Sequence, residues 1–343
     1  MPSQHKTVQC PHCKATMRSD NLKKHIARKH QISDEINTFD DTTSNAVLGD
    51  KSSSINDDND QSTDDDVTES SNDQPIKDES VKQPDNTPSK YAWKERGVEK
   101  NHNFLLPRTI RAIIVGPSGA GKTCLTTYLL LQPGMLDYEN LTVCGRSLHQ
   151  PEYRIMRAAF EKKLAKDQVS KIFNIQDKLT RLEVDVEDFI ENYDGKCRGG
   201  INATFTDDPK GIPDPESYDP EEKSILILDD CMLESQGNIQ KFYCRGRHNG
   251  VCVFYLTQSY FRLDRQTVRE NANLFFFFKQ DGKNLNHIYQ DHVSGDGIEF
   301  TDFRDFCTEV WNSGKHCYVV IDKTRPTDCG KFRRNLDEFW VPP

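Results

Sequence analysis

The chain has 343 residues, too many for one compact mini-domain, and a hydrophobic content of 35% that is low for a wholly globular protein. Its net charge of −9 hides three unlike regions: 1–33 hold seven Lys or Arg against Asp20 (net +6), 34–90 hold sixteen Asp or Glu against Lys51, Lys77, Lys82 and Lys90 (net −12), and 91–343 stand near neutral at −3. The eleven cysteines show no paired spacing after Cys10 and Cys13, and no apolar run nears the roughly 20 residues that span a bilayer. A disulfide framework and a membrane partner are therefore excluded, and a soluble, intracellular protein without a signal peptide is expected.

The basic head contains Cys10-x2-Cys13-x11-His25-x4-His30. Two thiolates and two imidazoles are the four tetrahedral ligands Zn²⁺ prefers. Two residues between the cysteines suit a tight knuckle, and four between the histidines put both rings on one face of a short helix that Ser19 can cap. The head resembles the two-Cys, two-His zinc fingers, with the gap between second Cys and first His one residue shorter than usual. Lys23, Lys24, Arg28 and Lys29 suit phosphates or a protein partner equally, so either ligand fits at this stage. Residues 34–90 are rich in Asp, Ser, Asn, Thr and Pro and almost devoid of large apolar side chains. They cannot offset the entropy of ordering, which predicts a disordered acidic tether. The domain division expected is thus 1–33, 34–90 and 91–343.

From about residue 91 short β-branched runs alternate with helical stretches, the pattern of an α/β domain with a mostly parallel sheet. Strands are predicted at 109–115, 141–144, 225–228, 251–256, 274–278 and 317–321, and helices at 122–131, 152–166, 239–247 and 302–311. Four consecutive phenylalanines, Phe275 to Phe278, read as a strand buried on both faces. Residues 167–223, with the Pro-rich stretch at 207–220, fit a lid, a subunit contact or a flexible insertion.

The first strand runs into Gly116, Pro117, Ser118, Gly119, Ala120, Gly121, Lys122, Thr123 and Cys124. Glycines let this backbone wrap a phosphate and aim several N–H groups at it, and the following helix adds its positive N-terminal end. The pattern is a P-loop, which predicts ATP bound through its phosphates, Lys122 on the β- and γ-phosphates, and the Thr123 hydroxyl on Mg²⁺. Such a site needs acidic partners. The apolar run at 225–228 ends in Asp229 and Asp230, where open α/β sheets bind ligands. Asp229 is expected to hold Mg²⁺ and Asp230 to polarise the attacking water. The strand at 251–256 ends in Thr257, Gln258 and Ser259, so Gln258 supplies a neutral amide at the same edge.

The succession GPSGAGKT, LILDDC, the segment from Arg245 through Arg247 and His248 to Gln258, and Val268-Arg269 before the Phe run resembles the genome-packaging ATPases of the FtsK/HerA superfamily. Within it the likeness is to the Polinton or Maverick, virophage and poxvirus-like types, over about 105–325. The resemblance implies a RecA-like P-loop NTPase core of the additional-strand type and a homo-oligomeric ring. It further implies an arginine given in trans, with Arg269 the first candidate and Arg247 and Arg245 the alternatives. Double-stranded DNA and capsid proteins become expected partners, and the host nucleus or cytoplasm, or the virion, the expected place. Two other readings fit the same residues: a helicase or recombination ATPase with no capsid, and a non-catalytic zinc-finger protein with a nucleotide switch. The basic cluster Lys331, Arg333 and Arg334 fits either a DNA contact or a solvated tail.

Overall fold

The computed structural model describes residues 7–9, 16–18, 100–181, 185–193 and 199–343. Cys10, Cys13, His25 and His30 and the acidic stretch 34–90 lie outside them. In the head, β1 (Thr7–Gln9) pairs antiparallel with β2 (Thr16–Arg18).

Among the described residues the other strands form one sheet: β3 (Arg111–Val115), β4 (Asn140–Gly145), β5 (Asn202–Thr206), β6 (Ser224–Asp229), β7 (Cys252–Thr257), β8 (Leu274–Phe277), β9 (Val319–Asp322), β10 (Phe332–Arg334) and β11 (Glu338–Trp340). Their order across the sheet is β11-β10-β9-β8-β3-β7-β6-β4-β5. From β8 through β5 every pairing is parallel, and β9, β10 and β11 continue it antiparallel. The fold is a mixed α/β arrangement around a mostly parallel sheet. One additional strand, β7, stands between the P-loop strand β3 and the acidic strand β6.

Period-two alternation divides each central strand between two cores. Ala112 and Ile114 of β3, Phe254 and Leu256 of β7, and Phe276 and Phe278 pack on one face. Ile113 and Val115, Val253 and Tyr255, and Phe275 and Phe277 pack on the other. The Phe run is therefore core, with Phe275 to Phe278 all buried. Truncating any one of them to Ala would cost about 3–5 kcal/mol. The first face is covered by α1 (Lys122–Leu131), α2 (Pro151–Glu161), α3 (Lys166–Arg181) and α4 (Val186–Glu191), the second by α5 (Gln236–Arg245), α6 (Gly282–His292) and α7 (Phe300–Asn312).

Several expectations are corrected. The helix expected over 152–166 is two helices, because Lys163 adopts φ 58°. Leu164 N–H then bonds back to Ala159 O and Lys163 N–H to Phe160 O, the Schellman closure that glycine usually makes. A lysine in that role leaves no signal in the sequence. The helix expected at 239–247 starts at Gln236 and ends at Arg245, followed by a 3₁₀ turn over Gly246–Asn249. Within 167–223 the Pro-rich stretch is tied to α5 and to the 3₁₀ turn that follows it. Asn238 Nδ2 donates to Pro209 O and Ile212 O, Asn249 Nδ2 donates to Pro215 O and Tyr218 O, and Lys241 pairs with Asp214.

The basic cluster at 331–334 is neither a solvated tail nor a free cationic surface. Lys331 pairs with Asp296, Arg334 with Glu309, and Arg333, with no exposed surface, with equally buried Asp322. Each of the three cations has a carboxylate beside it, fully buried for Arg333 and solvent-facing for Arg334, and only spacing in three dimensions shows it.

Candidate nucleotide site

Register fixes the site. Val115 of β3 lies opposite Thr257 of β7, and Leu256 of β7 opposite Asp229 of β6. The residues that follow, Gly116, Gln258 and Asp230, consequently leave the sheet at one edge. A cavity of about 390 Å³ opens there. Of the expected residues, Ser118, Gly119, Gly121, Lys122, Thr123, Cys124, Asp229, Asp230 and Gln258 line it.

The loop is shaped by backbone that only glycine adopts cheaply: Gly119 has φ 73° and Gly121 φ 107°, and Gly121 hands the chain to α1. Gly116 is needed for space, since a Cβ there would sit 2.8 Å from Phe278 Cβ. Lys122 Nζ donates to Gly116 O at 2.8 Å and Pro117 O at 3.0 Å, which arches the ammonium across its own loop. Burial lowers its pKa, while Asp229 and Asp230 oppose that shift.

Asp229 is buried, and its carboxyl is pushed up by that burial against the pull of Tyr153, Lys122 and Thr123. Tyr153 Oη donates to Asp229 Oδ2 at 2.6 Å, and the Thr123 hydroxyl adjoins both. A hydroxyl and a carboxylate are hard oxygen donors, so this corner fits Mg²⁺. Asp230 is exposed and held at φ 56°, a conformation that for a non-glycine residue costs on the order of 1–3 kcal/mol. That turn lifts its side chain off the strand end and into the cavity lining.

The sequence offered no motif for several other groups at the site. Ser147 and Gln150, from the connection between β4 and α2, and Glu152, in the first turn of α2, line the cavity, as does His316 from the turn before β9. Gly145 ends β4 opposite Asp229, and a Cβ there would meet Asp229 O at 2.7 Å. Spacing from the P-loop could not reveal these residues, because β4 reaches the site only by pairing with β6.

Arg269 is placed otherwise than expected. It is 6% exposed, in a π-helical turn over Arg265–Arg269, with Nη1 2.5 Å from Asp291 Oδ2 and its guanidinium 4.9 Å from the Tyr260 ring centroid. Tyr260 Oη also donates to Asp291 Oδ2, at 2.7 Å. A guanidinium so held is a core ion pair, and one given in trans must be exposed. Arg245 is exposed and paired with Glu216, while Arg247 is exposed.

Among the described residues no cluster of three or more His, Cys, Asp or Glu side chains could hold a metal ion, and no helix is long and apolar enough to cross a membrane. The zinc ligands expected in the head fall outside those residues.

No protein-family model matches the chain, and no curated protein matches it. Solved structures do. The genome packaging NTPase B204 from Sulfolobus turreted icosahedral virus 2, in complex with AMPPCP, is 10% identical, with 68% of this chain matched to 100% of that one at a TM-score of 0.39. VirB4 of Thermoanaerobacter pseudethanolicus is 10% identical over 68% of this chain and 95% of its own, at a TM-score of 0.35. The bacterial conjugative coupling protein TrwBdeltaN70 is 12% identical over 67% and 86%, at a TM-score of 0.33.

Proposed function

We propose that this chain is an ATP-hydrolysing motor that moves double-stranded DNA, packaging a viral or virus-like genome into a capsid. The observation that carries the hydrolytic half is the convergence of Lys122, Asp229, Asp230 and Gln258, from three adjacent strand ends, on one cavity beside a glycine loop. The DNA-moving half rests on the sequence resemblance to genome-packaging ATPases.

In this reading Lys122 exchanges its loop carbonyls for the β- and γ-phosphate oxygens. Thr123 and Asp229 hold Mg²⁺, which neutralises phosphate charge when bound. Asp230 accepts a proton from the attacking water and Gln258 donates to the γ-phosphate. Arg247, from a neighbouring subunit of a ring, stabilises the charge of the transferring phosphoryl group. In the head Cys10, Cys13, His25 and His30 hold zinc, and 34–90 tether it to the motor at 91–343.

Tyr153 tests the Mg²⁺ corner. With Tyr153→Phe, Asp229 loses its 2.6 Å donor, and the Mg²⁺ concentration for half-maximal turnover rises about 10- to 100-fold. An unchanged Mg²⁺ titration would remove Asp229 from that role. The motor reading is tested by phosphate release against added double-stranded DNA, with oligomer mass measured in the same buffer. DNA is expected to raise turnover several-fold in a species whose mass is a multiple of 39.4 kDa. A monomer, or a rate indifferent to DNA, overturns it. Capsids that fill normally with the Lys122→Ala chain overturn the packaging role alone.

A further inference from the structure

One side chain on the phosphate loop comes from outside both sequence motifs and has no part in the chemistry above. His316 lies in the turn between α7 and β9. Phe277 of β8 pairs with Val115 of β3 on one side and with Val319 of β9 on the other. The chain just before Val319 and the loop just after Val115 therefore meet at one edge of the sheet. The turn is anchored at both ends. Trp311 Nε1 donates to Phe277 O at 2.8 Å, Tyr318 N–H donates to Asn335 Oδ1 at 3.2 Å, and Tyr318 O accepts from Asn335 N–H at 2.8 Å.

His316 Nδ1 stands 2.9 Å from Ala120 O. A carbonyl oxygen can only accept, so Nδ1 carries the proton and donates. The ring also lies close against the loop, since a Cβ on Gly121 would sit 3.3 Å from Nδ1.

That bond falls where the loop is free to change shape. Gly116 O and Pro117 O accept from Lys122 Nζ, and Gly121 O accepts from Leu125 N–H at 2.9 Å. Those three carbonyls are tied by the loop and its own helix, whereas Ala120 O is tied from the β9 side of the sheet. The peptide between Ala120 and Gly121 can turn over by reversing the sign of Gly121 φ, now 107°, a change that glycine makes without a steric penalty. In a trans peptide the N–H and C=O point opposite ways. Turned over, this unit would present the Ala120 oxygen where Gly121 N–H now stands, and an oxygen facing a phosphate repels it.

We propose that His316 is a positioning residue for the phosphate loop: by donating to Ala120 O it holds that carbonyl away from the nucleotide and keeps Gly121 N–H turned toward the phosphates. The inference rests on the nucleotide-site reading above and adds a residue that acts through the loop backbone. Only Nδ1 is needed for this, and Nε2 has no part in it. The phosphate chain is the portion of the ligand that feels the effect.

The test measures affinities of the full chain for MgATP and for Mg²⁺ with inorganic tripolyphosphate, in wild type, His316→Ala, His316→Asn, His316→Gln and Lys122→Ala. The Asn amide nitrogen stands as many bonds from Cβ as Nδ1 does, and that of Gln stands at the reach of Nε2. His316→Ala should weaken both ligands equally, by about three- to tenfold, the worth of one hydrogen bond. His316→Asn should restore both to within about twofold of wild type, and His316→Gln should stay as weak as His316→Ala. His316 is exposed and lies in a turn, so none of these changes threatens the fold. The proposal is overturned by no loss in His316→Ala, or by a loss for ATP that tripolyphosphate does not share. It is equally overturned if Asn fails to restore binding, or if Gln restores it, since the ring would then act on the ligand through Nε2. Failure of the loop reading itself is seen separately, as tripolyphosphate binding indifferent to Lys122→Ala, and that result removes this proposal with it.

Discussion

Asp230→Asn is expected to bind ATP with near wild-type affinity and to hydrolyse it about 10²- to 10⁴-fold more slowly, the range over which a positioned proton acceptor contributes. The choice of Asn matters. Asp230 is held at φ 56°, where Asn is at least as tolerant as Asp and Ala is strained. The amide therefore removes the charge and keeps the turn, whereas Asp230→Ala would confound lost basicity with a shifted backbone. Lys122→Ala should behave differently. It deletes the cation that bridges the loop to the phosphates, so binding falls first, and turnover at saturating nucleotide falls by about 10²- to 10³-fold through lost charge stabilisation. Phosphate release at several ATP concentrations separates the two effects. Wild-type rates in Asp230→Asn would sink the assignment of Asp230, and wild-type binding in Lys122→Ala would sink that of the loop.

The second large effect concerns stability and lies far from the cavity. Arg333 has no exposed surface and pairs with Asp322 at 2.5 Å, also without exposure. Its other donors reach Gly330 O at 2.8 Å and Leu105 O at 2.6 Å, and Asp322 also accepts from Thr324 N–H at 3.0 Å and Thr324 Oγ1 at 2.6 Å. Burial lowers the Arg333 pKa, and the Asp322 charge acts against that. Arg325 Nε also stands 3.4 Å from Asp322 Oδ2, so Arg333→Met leaves the buried Asp322 charge with one partly exposed cation in place of two, which costs up to about 3–5 kcal/mol. For a domain of this size that lowers the melting temperature by roughly 6–20 °C. The double variant Arg333→Met with Asp322→Leu should recover most of the loss, since two apolar groups of matching volume need no partner. Thermal unfolding of both variants checks this. A single variant as stable as wild type would mean that Arg325 alone satisfies Asp322.

Those two sites differ in how far they could be read in advance. At Gly116 to Thr123 the local chain is the binding element: glycine torsions, loop amides and the start of a helix are all set within eight residues. The segment is legible because its physics is local, and α1 begins and ends where expected. Asp229 and Asp230 were legible because an apolar strand ending in acids leaves its charges at the sheet's edge. Glu152, Tyr153 and His316 were not, since nothing in their own neighbourhoods distinguishes them from surface residues. Tyr153 meets Asp229 across 76 positions of chain. Arg269 and Arg333 show the converse error. A lone arginine in a polar-looking stretch reads as exposed, and only the packing of α6 and β9 supplies the carboxylates, Asp291 and Asp322, that take each one inside.

An α/β chain with a P-loop and an acidic strand end, built around a Phe strand buried on both faces, is legible from local sequence. These follow from periodicity, glycine and charge at fixed short range. Only the packed fold shows that β7 stands between β3 and β6, that the pairing of β4 with β6 brings Glu152 and Tyr153 of α2 to the acids, and that Arg269 is withdrawn from the surface. The reason is the same in each case. Strand order and the pairing of buried charges are fixed by which distant surfaces bury one another, and burial is a property of the whole fold that no window of sequence contains.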